Sequence, residues 1–229
     1  MEETGRRARR IDVRRSTANG LLEVTRTTPD SPWPCDECLA REWIWRWLAK
    51  TGNRAIRVER LARGVEAEAF VRVYSHLREL VERYPIATRR GSIWLTFHEK
   101  GTEGDFGEWS TSGSRLSLPS RYYGSARGLA GLEERLVMIG TTGQSPVGCR
   151  TPEYVVTHEF GHSLRHRLES ARYARWWMQS DKAGLGANGG RTYSEGFAEG
   201  FSVIRHAPSE QWSPTVRTLY EMLREDGVL

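Results

Sequence analysis

Thr151 and Pro152 open a helix as clearly as any pair in this chain. A threonine hydroxyl accepts a first-turn N–H, and proline at the first helical position gives up a donor that would have no partner there. The predicted helix runs to about Arg167 and carries His158-Glu159-Phe160-Gly161-His162. Helical residues four apart lie on one face, one turn apart. His158 and His162 can therefore aim both imidazoles at one metal ion. Glu159 is one step round the helix, close enough to reach a metal-bound water without being a ligand itself. Val156, Phe160 and Leu164 supply an apolar face toward a core.

A catalytic zinc takes three protein ligands and keeps one position open. The pattern with a downstream glycine and third histidine fails here, because Leu164, Arg165, Arg167 and Leu168 stand at those places. His166 does not substitute. The helical rise puts it about 12 Å from His158, too far to share one ion, so it reads as a surface histidine or a partner to a ligand. A later helix, opened by Thr192 and running to about Arg205, offers Tyr193-Ser194-Glu195-Gly196-Phe197-Ala198-Glu199-Gly200-Phe201. Glu195 and Glu199 share a face. One can ligate zinc while the other accepts a hydrogen bond from a ligating histidine and fixes its tautomer. The plainer reading is a solvated acidic face, and the upstream histidines weigh against it. Phe197 and Phe201 point elsewhere and can pack in a core. Gly196 and Gly200 cost helix propensity, which suggests that another backbone comes close there.

The rest of the chain predicts an α+β domain with a small mixed sheet. Residues 35–50 repeat Leu39, Trp43, Ile44, Trp47 and Leu48 at helical spacing, and residues 65–84 put Phe70, Tyr74, Leu77, Val81 and Tyr84 on one face before Pro85 ends the helix. Residues 55–58, 92–98 and 115–118 read as strands, with Ile93, Leu95 and Phe97 alternating. The glycine-rich residues 101–113, with Phe106 and Trp109, suggest a hairpin at the sheet edge. Residues 129–139 predict a helix, 140–148 and 184–190 glycine-rich loops, and Ser213-Pro214 the start of a last helix with Val216, Tyr220 and Leu223.

Length and composition limit the possibilities. The 229 residues suffice for one catalytic domain, and 38% hydrophobic with 28% charged residues reads as soluble and globular. No apolar run is long enough to span a membrane. The Arg-rich start lacks a following apolar segment and is not a secretory signal, so the expectation is a cytoplasmic protein, or one delivered or secreted without a signal peptide. Three cysteines argue against a disulfide scaffold, and the lone pair Cys35 and Cys38 reads as ordinary thiols, with redox chemistry the lesser alternative. Much of the net charge of +5 sits in Arg6, Arg7, Arg9, Arg10, Arg14 and Arg15. Residues 1–30 are expected to be a disordered basic arm, with the folded domain spanning 31–229. The arm has no interleaved aromatics for base stacking, so nucleic acid is not the expected partner.

The two motif stretches, His158-Glu159-Phe160-Gly161-His162 and Glu195-Gly-Phe-Ala-Glu199-Gly-Phe201, resemble the gluzincin arrangement of zinc metallopeptidases. The closest resemblance is to the peptidase domain of anthrax lethal factor and its relatives in bacterial toxins and phage proteins. It covers about residues 55–206 and is specific at the two motif helices. It implies a zincin-like fold with the active-site helix followed by a third-ligand helix. It also implies Zn2+ as cofactor, Glu195 as third ligand and Glu199 as the partner behind a ligand. The family places a tyrosine upstream of the third ligand, where it can stabilise an oxyanion. Counting back lands in residues 184–190, which hold no tyrosine, and Tyr193 is the nearest candidate. The function so implied is a zinc-dependent endopeptidase. A peptide or protein substrate would lie extended along a strand within residues 101–118, and a zinc-bound water activated by Glu159 would attack its peptide bond. Two other readings are a catalytically silent binding or structural module of zincin fold, phage or toxin associated, and a nucleic-acid binder acting through the basic arm.

Overall fold

The computed structural model describes residues 11–15, 22–26, 36–89, 91–99, 106–110, 114–141, 151–168 and 170–229. Cys35, Cys149, Arg6, Arg7, Arg9 and Arg10 lie outside the described residues, as do most of the two glycine-rich stretches 101–113 and 140–148.

Alternating and helical apolar patterns generate an α+β fold around one core. Strands β1 (Ile11–Arg15) and β2 (Leu22–Arg26) pair antiparallel. The arm expected to lack regular structure thus contains a strand pair; Ile11 with Val13 and Leu22 with Val24 have the two-residue period of strands. Helix α1 (Asp36–Thr51) precedes β3 (Ile56–Arg60), α2 (Ala67–Arg83), β4 (Ile93–His98), β5 (Glu108–Ser110) and β6 (Arg115–Pro119). The second sheet runs β3-β4-β6-β5. Its first three strands are parallel, and β5 joins β6 antiparallel at one edge, so the expected edge hairpin is present. Leu95 pairs with Leu116 and Phe97 with Leu118, which sets an apolar face of fully buried side chains.

Helix α2 covers that face. It buries Phe70, Val73, Tyr74, Leu77, Leu80 and Val81, and Phe70 meets Phe97 of β4 with ring centroids 5.6 Å apart. Trp47 of α1 stands edge-on to Tyr74 at 5.5 Å. Trp43 and Trp47 pack against the core, while Trp45 remains 44% exposed.

The one-turn α3 (Ser120–Tyr123) and the 16-residue α4 (Ala126–Thr141) lead to α5 (Pro152–Arg167). Thr151 caps α5 by accepting the Tyr154 N–H at 3.3 Å. Every residue of α5 from Tyr154 to Leu164 is buried, so this helix runs through the molecule rather than over it. Then come α6 (Ser170–Gln179), a 3-10 turn Lys182–Leu185, α7 (Gly186–Gly189), α8 (Tyr193–His206) and α9 (Pro214–Glu225). Residues 184–190, expected as an open loop, fold into these two short helical turns, and Gly186 at φ +69° bends the chain between them.

Helix α8 packs along α5. A Cβ on Gly161 would stand 2.9 Å from the Ala198 Cα, so the bare glycine lets the two backbones meet. Phe201 bridges Tyr84 and Phe160 at 5.2 Å and 6.3 Å, and Phe197 meets Tyr173 of α6 at 5.2 Å. The close backbone approach expected at Gly196 and Gly200 is present at Gly196 only; at Gly200 the neighbours are side chains. A Cβ on Gly196 would meet the Trp177 indole and the Gly189 carbonyl, and one on Gly200 would meet the Leu219 side chain of α9.

Candidate metal centre

The contact of α5 with α8 brings His158, His162 and Glu195 together. One donor atom from each lies within 4.8 Å of the others, the only such group of three among the described residues. His158 Nε2 is 3.1 Å from Glu195 Oε2, and His162 Nε2 is 3.5 Å from Glu195 Oε1. A tetrahedral ion about 2.1 Å from each ligand holds its ligands about 3.4 Å apart. Two nitrogens and a carboxylate at these separations fit zinc in both geometry and donor type.

The far side of each histidine is also engaged. His162 Nδ1 is 2.9 Å from Ser194 Oγ; with Nδ1 as donor, Nε2 keeps its lone pair toward Glu195. His158 Nδ1 faces Glu199 Oε2 at 3.8 Å. Glu199 is 3% exposed and accepts a hydrogen bond from the Tyr154 hydroxyl. Asn188 of α7 donates from Nδ2 to Glu195 Oε2 at 2.9 Å and to Glu199 Oε1 at 3.5 Å. Thr192 caps α8 by accepting the Glu195 N–H at 3.2 Å, which seats Glu195 in the first turn.

Glu159 is 7% exposed. The chain before β5 passes directly over it: a Cβ on Gly107 would stand 3.1 Å from Glu159 Cγ and 3.2 Å from Val155 Cγ1. The sheet edge therefore borders the carboxylate.

Electrostatics divide the group. Burial works against a charged His158, but the nearby Glu199 carboxylate and the hydrogen bond to Glu195 outweigh it and hold its pKa well above the ordinary value. Burial, and then the charge on His158, push the His162 pKa down. The hydrogen bond from His158 keeps the Glu195 pKa low. Glu159 goes the other way: burial, reinforced by the Glu195 and Glu108 charges, lifts it from 4.5 to about 7 against the opposing pull of His158.

Behind the centre, the Thr157 hydroxyl donates to the Glu153 carbonyl at 2.9 Å and lies 2.8 Å from both His76 Nε2 and His206 Nε2. Burial lowers the His76 pKa and takes that of His206 to about 4. Both rings are thus neutral donors to Thr157, tying α2, α5 and α8 together behind His158 and His162.

His158, Glu159, His162, Glu195 and Glu199 all converge as the sequence suggested. Tyr193 does not join them. Its ring lies under the Arg165 guanidinium at 5.2 Å and packs on the core, and its buried hydroxyl makes no hydrogen bond to the group. The first helical position of α8 points it toward Arg165, three residues past His162. His166 is exposed, as expected of a surface histidine. Sequence reasoning missed Tyr154, Ser194, Asn188 and Gly107. Tyr154 had a signal, standing four residues before His158 on the same helical face; Ser194 and Asn188 had none beyond lying near Glu195. No protein-family profile matches the chain, and no curated protein matches it.

Proposed function

We propose that the protein is a zinc-dependent endopeptidase of zincin-like fold and gluzincin type. One observation carries this reading: two imidazoles on α5 and a carboxylate on α8 converge at the spacing of a tetrahedral ion, with a buried carboxylate beside them. His158, His162 and Glu195 would hold the ion, and Glu199 would orient His158. When bound, zinc supplies a Lewis acid that polarises a carbonyl and brings the pKa of a coordinated water toward neutrality.

The chain's own residues divide the remaining work. Strand β5 ends the sheet, so its outer edge can pair with an extended peptide and lay it past Glu159. Glu159, raised to about 7 in the metal-free protein, is driven toward its ionised form by a nearby cation. As a carboxylate it accepts the proton of the attacking water and then delivers it to the leaving amine. The cover of Gly107 and Val155 keeps bulk water off its inner side. Purified protein should carry about one zinc per chain and cleave peptides, and Glu159→Gln should keep the zinc and lose cleavage. Zinc-loaded protein that cleaves nothing in a broad peptide library would favour the silent binding module instead.

A further inference from the structure

We propose that Asn188 is a positioning residue of the metal centre, its side-chain amide bridging the two carboxylates of α8 and holding the Glu195 carboxylate where it faces both histidines. The inference rests on the zinc reading above and adds a group that the motif helices do not contain.

A side-chain amide brings two N–H donors without a charge. Asn188 directs Nδ2 at Glu195 Oε2, 2.9 Å away, and at Glu199 Oε1, 3.5 Å away. Two carboxylates one helical turn apart repel each other, and a shared donor offsets that repulsion. It also restrains a side chain that is 30% exposed and would otherwise sample several rotamers. The amide holds Oε2, which also faces His158 Nε2 at 3.1 Å, and this turns Oε1 toward His162 Nε2 at 3.5 Å. The amide thereby fixes the Glu195 carboxylate in the orientation that faces both imidazoles.

The segment carrying Asn188 is built to hold it there. Thr215 Oγ1 donates to the Asp181 carbonyl at 2.9 Å, and Ser213 Oγ to the Gly184 carbonyl at 3.5 Å, so the start of α9 pins the first turn. Trp177 Nε1 donates to the Gly189 carbonyl at 3.1 Å, pinning the far end from α6. Leu185 is fully buried between these anchors. A Cβ on Gly189 would stand 3.2 Å from both Cβ and Cγ of Glu199, so the absence of a side chain lets the strap lie against α8. Three fastenings and a fully buried leucine hold a ten-residue strap, residues 181–190, whose half-buried Asn188 amide reaches both carboxylates.

The test uses full-length Asn188→Ala and Asn188→Leu, the second keeping the volume while removing the donors. Zinc affinity is measured by chelator competition, the ligand field by the visible spectrum of the cobalt(II)-substituted protein, and folding by the melting temperature of the metal-free form. The expected result is a 10- to 100-fold weaker zinc affinity and an altered cobalt spectrum, with a fall in metal-free stability smaller than the loss of zinc binding. Wild-type affinity and spectrum in both variants, while Glu195→Ala loses zinc, would overturn the role of Asn188 and leave the metal centre standing. So would a loss of affinity matched by a fall in metal-free stability. Wild-type protein that binds no zinc would overturn both.

Discussion

Replacing Glu159 by glutamine in the metal-free protein is expected to stabilise the fold, and to do so only at higher pH. Glu159 is 7% exposed with its pKa raised from 4.5 to about 7. Below 4.5 the carboxyl is protonated in both the folded and the unfolded chain and costs nothing. Between 4.5 and 7 the unfolded chain gives up the proton while the folded chain retains it, so folding becomes progressively less favourable. Above 7 the loss is complete. At about 1.4 kcal/mol per pH unit it amounts to about 3 kcal/mol. Glutamine has the same shape and no proton to lose, so the variant lacks this slope. Urea denaturation in the presence of a chelator at pH 5 and pH 8 measures the difference. The variant should exceed wild type by about 3 kcal/mol at pH 8 and by less than about 1 kcal/mol at pH 5. An equal difference at both pH values, or a variant less stable than wild type at pH 8, would refute the reasoning.

Two further expectations concern the same helices. Gly161→Ala puts a Cβ 2.9 Å from the Ala198 backbone, so α8 must move away; the expected cost is about 1–3 kcal/mol of stability together with weaker zinc binding, and thermal melting with chelator competition checks both. In the metal-free protein His158 holds its proton to higher pH than an ordinary imidazole because of the nearby Glu199 and Glu195 carboxylates, and an ion must displace it. Zinc affinity should therefore rise by about tenfold per pH unit between pH 6 and 8 for each proton released, measurable by calorimetry in buffers of different ionisation enthalpy, and a flat profile would contradict the assignment.

Local signals in the sequence were enough for the elements that carry the ligands. Thr151-Pro152 and Thr192 are capping residues, and both helices start where those caps stand. The face of α2 was legible because Phe70, Tyr74, Leu77 and Val81 recur at helical spacing and all are buried. Helix α6 was missed because Arg172 and Arg175 interrupt its apolar pattern; Tyr173 and Trp176 are buried against partners on α8 and α9. Residues 184–190 read as a loop because Gly184, Gly186, Gly189 and Gly190 weaken any helical pattern. The order of the strap 181–190 comes from Thr215, Ser213 and Trp177, whose contacts lie 34, 29 and 12 residues away in sequence. The contact of Gly107 with Glu159 likewise depends on how the sheet edge meets α5, which no local pattern encodes. Tyr193 stood closest in sequence to Glu195, yet the helix turns it to Arg165.

The most direct test of the centre is the zinc content of purified Glu195→Ala beside wild type and Glu199→Ala. Wild type should hold about one zinc per chain, Glu195→Ala should lose it, and Glu199→Ala should retain it with reduced affinity, since Glu199 acts through His158. Zinc retained in full by Glu195→Ala would contradict the three-ligand centre.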